Sequence, residues 1–334
     1  MKKPKDLEEA KGQIQFLKRE LGIAKRKILK PNENLLYTDI LIQQFKDISS
    51  TLPKAKLHKD YANKCRINDT EANLILSDWH CGKVVTADEG SFNLYNVEIM
   101  KERTKELLSQ LSNEINLQRT TSKITVLNIY MLGDMLDGFG IYPSQQARLS
   151  ANSVEQMLIL VEEMAKVLFY FAERFKTVNI ICISGNHGRI GKKDEHVFKM
   201  NYEYMFAHML KYKMENTKRV NFIIPESWSY IHEVKNTKLY LTHGDVVKGI
   251  NLGKQVQELS VMSGKLFDIM CMGHLHHYNN FEYQKGKEVF INGSLCGSDE
   301  YSCKRLHKTS SPCQVLFGID KNGITFRKPI YLGS

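Results

Sequence analysis

Five apolar runs in this chain each lead directly into Asp, His or Asn, in four cases set beside glycine. Asn73–Ser77 leads into Asp78-Trp79-His80, and Ile124–Leu132 into Gly133-Asp134-Met135-Leu136-Asp137-Gly138. Val178–Ser184 leads into Gly185-Asn186-His187-Gly188, Lys238–Thr242 into His243-Gly244-Asp245, and Ile269–Met272 into Gly273-His274-Leu275-His276. Short apolar runs rich in β-branched residues predict buried strands. Helical periodicity lies near Asn96–Gln118, Ser153–Arg174 and Val197–Tyr212, so strands and helices alternate, which predicts an α/β layering. Further runs at Asn221–Ile224, Glu288–Ile291, Val315–Ile319 and Ile324–Arg327 make the end of the chain strand-rich and suggest a mixed or second sheet. Ligands of open α/β folds bind beyond the carboxyl ends of the strands, so the five polar segments are expected to converge.

The residue types in those segments point to metal chemistry. His, Asp and Asn offer nitrogen and oxygen donors that suit Mn, Fe or Zn. D-x-H and H-x-H each place two side chains on the same side of an extended segment, because strand side chains alternate with period two. The competing reading is a set of unrelated core and turn residues. An apolar core gives no reason to place so many donor types at strand ends.

The ordered set D-x-H, G-D-x-x-D-G, G-N-H, H and G-H-x-H resembles the calcineurin-like metallophosphoesterase superfamily over about residues 73–295. The resemblance implies an α/β fold with two mixed sheets in a sandwich flanked by helices. It implies two divalent metal ions, with manganese expected and iron or zinc as alternatives. Carried over position by position, Asp78, His80 and His276 look like ligands of one metal. Asn186, His243 and His274 look like ligands of the other, with Asp134 as the bridge. His187 is then the acid that protonates the leaving group, or a stabiliser of charge on the phosphate, and Asp137 orients it. One departure stands out. Many members have an acidic residue directly after G-N-H, whereas here Gly188 and then Arg189 follow. The usual partner at that place is therefore in question.

Arg189 reads either as a contact to substrate phosphate or as a solvated loop residue. The stretch Phe139–Ala151 is a candidate substrate loop in which Phe139 and Tyr142 suit base stacking and Arg148 suits a phosphate. The alternative is a surface loop packed by its own aromatics. Cys296, Cys303, His307 and Cys313 hint at a zinc site, but their spacings match no compact ligand pair.

The chain's 47 Lys and Arg against 37 Asp and Glu give a formal net charge of +10 over 334 residues. Residues 1–72 carry 16 basic and 10 acidic residues, a net of +6, and residues 73–334 carry 31 and 27, a net of +4. Basic excess favours an anionic partner. Leu7, Ala10, Ile14, Leu17, Leu21, Ala24 and Ile28 alternate spacings of 3 and 4, a heptad seam over 7–28. That seam suits a homo-oligomer, or a helix packed on its own domain. A second helix is expected near Asn34–Ser49, then a basic connector. The domain division is drawn as 1–72, a helical extension, and 73–334, the phosphoesterase-like domain. Seven Cys with no C-x-x-C pair suit a reducing, cytoplasmic setting. No signal peptide or membrane-spanning run is expected.

Charge and the aromatic-plus-Arg loop favour a nuclease acting on DNA. The reading resembles the Mre11/SbcD-type nuclease branch, without its capping domain. The alternatives are a protein or small-nucleotide phosphatase of the same superfamily, and a non-catalytic scaffold that keeps the fold.

Overall fold

The computed structural model describes residues 31–57, 68–87, 93–142, 145–191, 198–247, 252–262, 264, 266–299, 302–303 and 309–333. The heptad over 7–28 and His307 lie outside them.

The apolar runs form strands because both their faces are covered. In β2 (Glu71–Leu76), β4 (Val126–Leu132) and β5 (Thr177–Ile183), nearly every residue is buried. Such double burial reads as a continuous apolar run rather than an alternation. With β6 (Val220–Ile223) these three are parallel, and β12 (Cys313–Asp320) and β13 (Gly323–Tyr331) complete the sheet antiparallel. The order is β13-β12-β2-β4-β5-β6. A second sheet runs β10-β11-β9-β8-β7, from Asn279–Gln284, Lys287–Ile291, Ile269–Met272, Thr237–Thr242 and Ser229–Val234. Its central strands β11, β9 and β8 are parallel, and its edges β10 and β7 are antiparallel. A two-residue pair, β1 (Asn68–Asp69) with β3 (Ser122–Lys123), stands apart. The expected fold class, two mixed sheets flanked by helices, is the one the chain adopts.

Three cores follow from this layering. Ile75, Tyr130, Leu132, Ile181, Leu241, Cys271, Phe290 and Phe317 pack between the sheets, with Phe290 and Phe317 stacked at 4.6 Å. The outer face of the six-stranded sheet is covered by α2 (Val97–Gln118), α3 (Ser153–Ala172) and α4 (Tyr202–Lys213). The outer face of the other sheet is covered by α5 (Leu252–Met262), through Val256. α2 buries Met100, Leu107, Leu111 and Ile115, a stripe at helical spacing. Each of these three longer helices begins at an asparagine cap. Asn96 accepts from Ile99 N–H, Asn152 forms a capping box with Glu155, and Asn201 accepts from Glu203 N–H. The Asn201 cap explains why α4 starts at Tyr202 rather than near Val197.

α1 (Pro31–Ile48) and the segment after it, drawn above with the N-terminal extension, lie against α4. Phe45 joins the large core beside Tyr212, Leu52 N–H donates to the Lys213 carbonyl, and Arg219 donates to the Ala55 carbonyl. No helix among the described residues is long and apolar enough to cross a membrane.

Candidate metal centre

The strand ends continue into loops that stay paired as strands do. Asp78 N–H donates to Gly133 O and His80 N–H to Asp134 O, both at 3.0 Å, and Gly273 N–H donates to His243 O at 3.0 Å. This lacing brings the five polar segments to one place. It also forces unusual backbone. Among the described residues six non-glycine residues have positive φ, and five of them are Asp78 (56°), His80 (46°), Asp134 (53°), His274 (69°) and His276 (59°). Left-handed backbone costs an L residue about 1–3 kcal/mol, and such strain persists where surrounding structure imposes it. Two glycines make the close approach possible. A Cβ on Gly185 would lie 2.2 Å from Asp134 Oδ1, and one on Gly273 would lie 2.5 Å from Asp78 Oδ2.

Asp78, His80 and His276 form one group of donors whose ligand atoms lie within 4.8 Å of one another. His80 Nδ1 meets Asp137 Oδ1 at 2.9 Å, which turns its Nε2 to face His276 Nε2 at 3.1 Å. His276 Nε2 also lies 3.3 Å from Asp78 Oδ1. Asp134, His243 and His274 form a second group of the same tightness. His243 Nδ1–H donates to the Leu132 carbonyl at 2.7 Å. Its Nε2 then faces Asn186 Oδ1 at 3.0 Å, Asp134 Oδ2 at 3.2 Å and His274 Nδ1 at 3.2 Å. One ring N–H cannot serve three acceptors, and two facing ring nitrogens repel unless something positive lies between them. The donor set therefore fits a bound cation in each group.

A third group, His80, Asp137 and His187, joins them. His187 Nδ1 lies 2.8 Å from the Asp137 carbonyl and 3.3 Å from its Oδ1, and His187 N–H donates to Asp134 Oδ1 at 2.9 Å. Asp137 thus serves both His80 and His187, where the sequence reading gave it only His187.

Electrostatics divide the histidines. Burial lowers His80 to about 4 against the pull of Asp137, and burial with the charge of His243 lowers His274 to about 4. Burial opposes charge on His243 and His187 too, but acidic neighbours win. Asp134 and Asp78 lift His243 to about 10, and Asp134 with Asp137 lifts His187 to about 9. In turn, and despite burial, Asp134 and Asp137 are held well below the usual carboxylate range by these histidines.

Of the candidate substrate contacts, Tyr142 and Arg189 come to the centre. Tyr142 accepts from Asn186 Nδ2–H at 3.1 Å, its ring is 5.2 Å from that of His187, and the Arg189 guanidinium lies 5.6 Å from its centroid. Arg189 also donates to the Asn186 carbonyl at 3.0 Å. Arg148 is placed by its backbone, whose carbonyl accepts from Val84 N–H at 2.8 Å.

Sequence reasoning missed three buried supports. Gln145 donates to the Asp137 carbonyl, and to its Oδ2 at 3.2 Å. Gln156 accepts from Gly138 N–H at 2.9 Å and donates to the Gly138 carbonyl at 3.1 Å. The two glutamines clasp the loop after Asp137. Glu203 accepts from the amides that follow Asp134 and the one that precedes Asn186, and burial beside the Asp134 charge pushes it up to about 7. A helix start such as Asn201-Tyr202-Glu203 signals capping, and nothing in its pattern shows a longer reach.

No protein-family model matches the chain. It is 24% identical over 309 residues to the SPbeta prophage-derived uncharacterized protein YonJ of Bacillus subtilis, covering 90% of this chain and 72% of YonJ. Solved structures similar to it include a Vps29 from Entamoeba histolytica, at TM-score 0.34 and 12% identity, covering 78% of this chain and 99% of that one. A predicted phosphoesterase from Streptococcus pneumoniae matches at TM-score 0.33 and 10% identity, covering 78% and 98%. A 5'-nucleotidase from Candida albicans matches at TM-score 0.38 and 8% identity, covering 81% of this chain and 53% of that one. Likeness at this level decides nothing about activity, which has to be read from the side chains themselves.

Proposed function

We propose that the chain is a two-metal phosphoesterase of the calcineurin-like type that hydrolyses phosphodiesters, with DNA as the substrate. The observation that carries this reading is the convergence of seven donor residues, Asp78, His80, Asp134, Asn186, His243, His274 and His276, from five separate strand ends. Asp78, His80 and His276 would hold one cation; Asn186, His243 and His274 would hold the other, with Asp134 shared. Divalent cations there supply Lewis acidity toward phosphoryl oxygens and an activated water, manganese being the metal we would add first.

The chain's own residues supply the rest. Without metal, Asp134 and Asp137 lift His187 to about 9, and Asp137 at 3.3 Å favours its protonated form. Its Nδ1–H is spent on the Asp137 carbonyl, which leaves Nε2–H free to meet the leaving-group oxygen. Asp137 fixes that ring, and Gln145 acts one step behind it by holding the Asp137 carbonyl and carboxylate. Arg189, stacked against Tyr142 and tied to the Asn186 carbonyl, is the side chain for a non-bridging phosphate oxygen. Exposed Tyr142 beside it, with Phe139 exposed three residues earlier in the same loop, suits a base next to the scissile bond, which favours nucleic acid over a phosphoprotein. The net charge of +10 points the same way. We place homo-oligomerisation on residues 7–28.

The test is hydrolysis of bis-(p-nitrophenyl) phosphate with Mn2+, set beside single-stranded DNA, duplex DNA, RNA and a phosphopeptide. Expected is cleavage of the diester and of DNA, lost in Asp134→Ala. Cleavage of the phosphopeptide alone would make the chain a phosphatase. Metal-loaded protein inert toward every phosphoester would make it a scaffold.

A further inference from the structure

The departure at Gly188 has a structural counterpart in α4. Glu203 is 4% exposed and sits between two ligand loops. Its Oε1 accepts from Met135 N–H at 2.5 Å and Leu136 N–H at 3.4 Å, and its Oε2 accepts from Gly185 N–H at 2.5 Å. Met135 and Leu136 directly follow Asp134, and Gly185 directly precedes Asn186 and His187. Asn201 adds a bond from its Nδ2 to the Gly185 carbonyl at 3.0 Å.

Space for this arrangement comes from Gly188. A Cβ there would lie 2.2 Å from Asn201 Oδ1 and 2.7 Å from Glu203 Cγ. The absence of a side chain directly after Gly185-Asn186-His187 is therefore what admits Glu203. Chemistry explains why a carboxylate stands here. The loops present three N–H groups to it, and a carboxylate accepts on both oxygens. A glutamine would fill the same volume with less desolvation, but it would set an NH2 against a backbone N–H. Burying a charge without a cation partner is costly, so a purely space-filling role would be served better by an apolar residue.

We infer that Glu203 is the positioning residue of this centre: it fixes the spacing between the loop carrying Asp134 and the loop carrying Asn186 and His187. The inference rests on the reading of the cluster as a metal centre. Groups that orient ligands from behind typically contribute 10–100-fold in metal affinity.

The experiment uses the full chain with Glu203→Gln, which keeps length, and Glu203→Asp, which keeps charge but is one methylene short. Three quantities are read: hydrogen exchange of segments 133–138 and 184–188 without added metal, Mn2+ affinity by calorimetry, and kcat against KM on bis-(p-nitrophenyl) phosphate. Expected are faster exchange in both segments with α2 unchanged, and Mn2+ binding weakened about 10-fold or more in Glu203→Gln. The loss should be smaller in Glu203→Asp, and kcat should fall while KM holds. Faster exchange with Mn2+ affinity and kcat within twofold of the parent would reduce Glu203 to packing and overturn the inference, as would unchanged exchange. Mn2+ uptake that depends on Glu203 in a chain that hydrolyses no phosphoester would uphold the inference and sink the phosphoesterase reading instead. A parent chain that takes up no Mn2+ would overturn both.

Discussion

At the amino ends of the parallel strands β2, β4, β5 and β6, Asn73, Asn128, Asn179 and Asn221 stand in register across the sheet. At the carboxyl ends of three of those strands stand Asp78, Asp134 and Asn186. The asparagines form a ladder: Asn221 donates to Asn179 at 3.0 Å, Asn179 to Asn128 at 2.9 Å, and Asn128 to Asn73 at 3.0 Å. Tyr130 closes it with a 2.7 Å bond to Asn73. The carboxyl end has no such closure. Ring nitrogens face each other at 3.1 and 3.2 Å, and its backbone holds five of the six non-glycine residues with positive φ among the described residues. One sheet thus lines up polar groups at both ends. Neutral amides that satisfy one another need no ligand and serve register, whereas donors held in mutual conflict on strained backbone are what a binding centre requires.

The largest effect should come from His187, at the carboxyl end. His187→Ala removes the proton donor but none of the residues assigned to the cations. Turnover of a diester with a poor leaving group should fall about 10²–10⁴-fold, the usual worth of a general acid. Calorimetry should still find Mn2+ bound. Loss of the metal in this variant would move His187 into the ligand set and redraw the boundary between support and chemistry.

The second prediction concerns pH and sets the same end against itself. In the metal-free protein His243 is held up to about 10, so a cation must displace its proton. Mn2+ affinity should therefore rise by about 10-fold per pH unit from pH 6 to 8, with proton release seen in buffers of different ionisation enthalpy. The sign for stability runs the other way. A folded value above the ordinary 6.5 gives metal-free protein a stabilisation complete below that pH and lost as pH rises toward about 10. Metal-loaded protein should not show that alkaline loss. Affinity flat across this range would mean His243 is neutral before metal arrives.

The third prediction moves to the amino end. Asn128→Leu leaves Asn179 without its acceptor and Glu71 without the donor it has at 3.0 Å. Both orphaned groups are half-buried, so the loss should be about 1 kcal/mol, read from chemical denaturation. Mn2+ affinity and kcat should stay within twofold of the parent. A change in metal binding would show that the two ends are coupled through β4, and the contrast drawn between them would fail.

This contrast also explains what was legible in the sequence. The central strands showed as apolar runs because both faces are buried, and the ligand segments showed because they follow those runs directly. Beside the two-residue pair β1 and β3, two strands were not read, β7 (SYIHEV) and β10 (NNFEYQ). They are the two edges of the five-stranded sheet, mostly half-buried or exposed, so neither carries an apolar signature. Helix α5 was missed for a related reason: it buries only Val256 and Ser260. At the site, Asp78 and His276 were legible from local motifs, but Gln145 and Glu203 act across the fold. The asparagine ladder was in view as one Asn early in each of four strands, but only the register makes it a row.

The smallest effect separates the two ends by degree. Tyr142 is half-exposed, and its hydroxyl accepts from Asn186 Nδ2–H at 3.1 Å. That bond decides which way the amide points, because it turns Asn186 Oδ1 toward His243 Nε2 at 3.0 Å. Tyr142→Phe removes the hydroxyl and leaves the ring beside Arg189 and His187. A single hydrogen bond contributes about 1 kcal/mol net, which corresponds to about a fivefold loss of affinity for the cation assigned to Asn186. The amide is also braced by its place between Gly185 and His187, so stability to denaturant should not change. Comparing Mn2+ titrations of the parent and Tyr142→Phe measures the effect. A loss as large as that of Asn186→Ala would show that the amide has no orientation of its own. The carboxyl end would then depend on its surface loop as closely as the ladder depends on its neighbours.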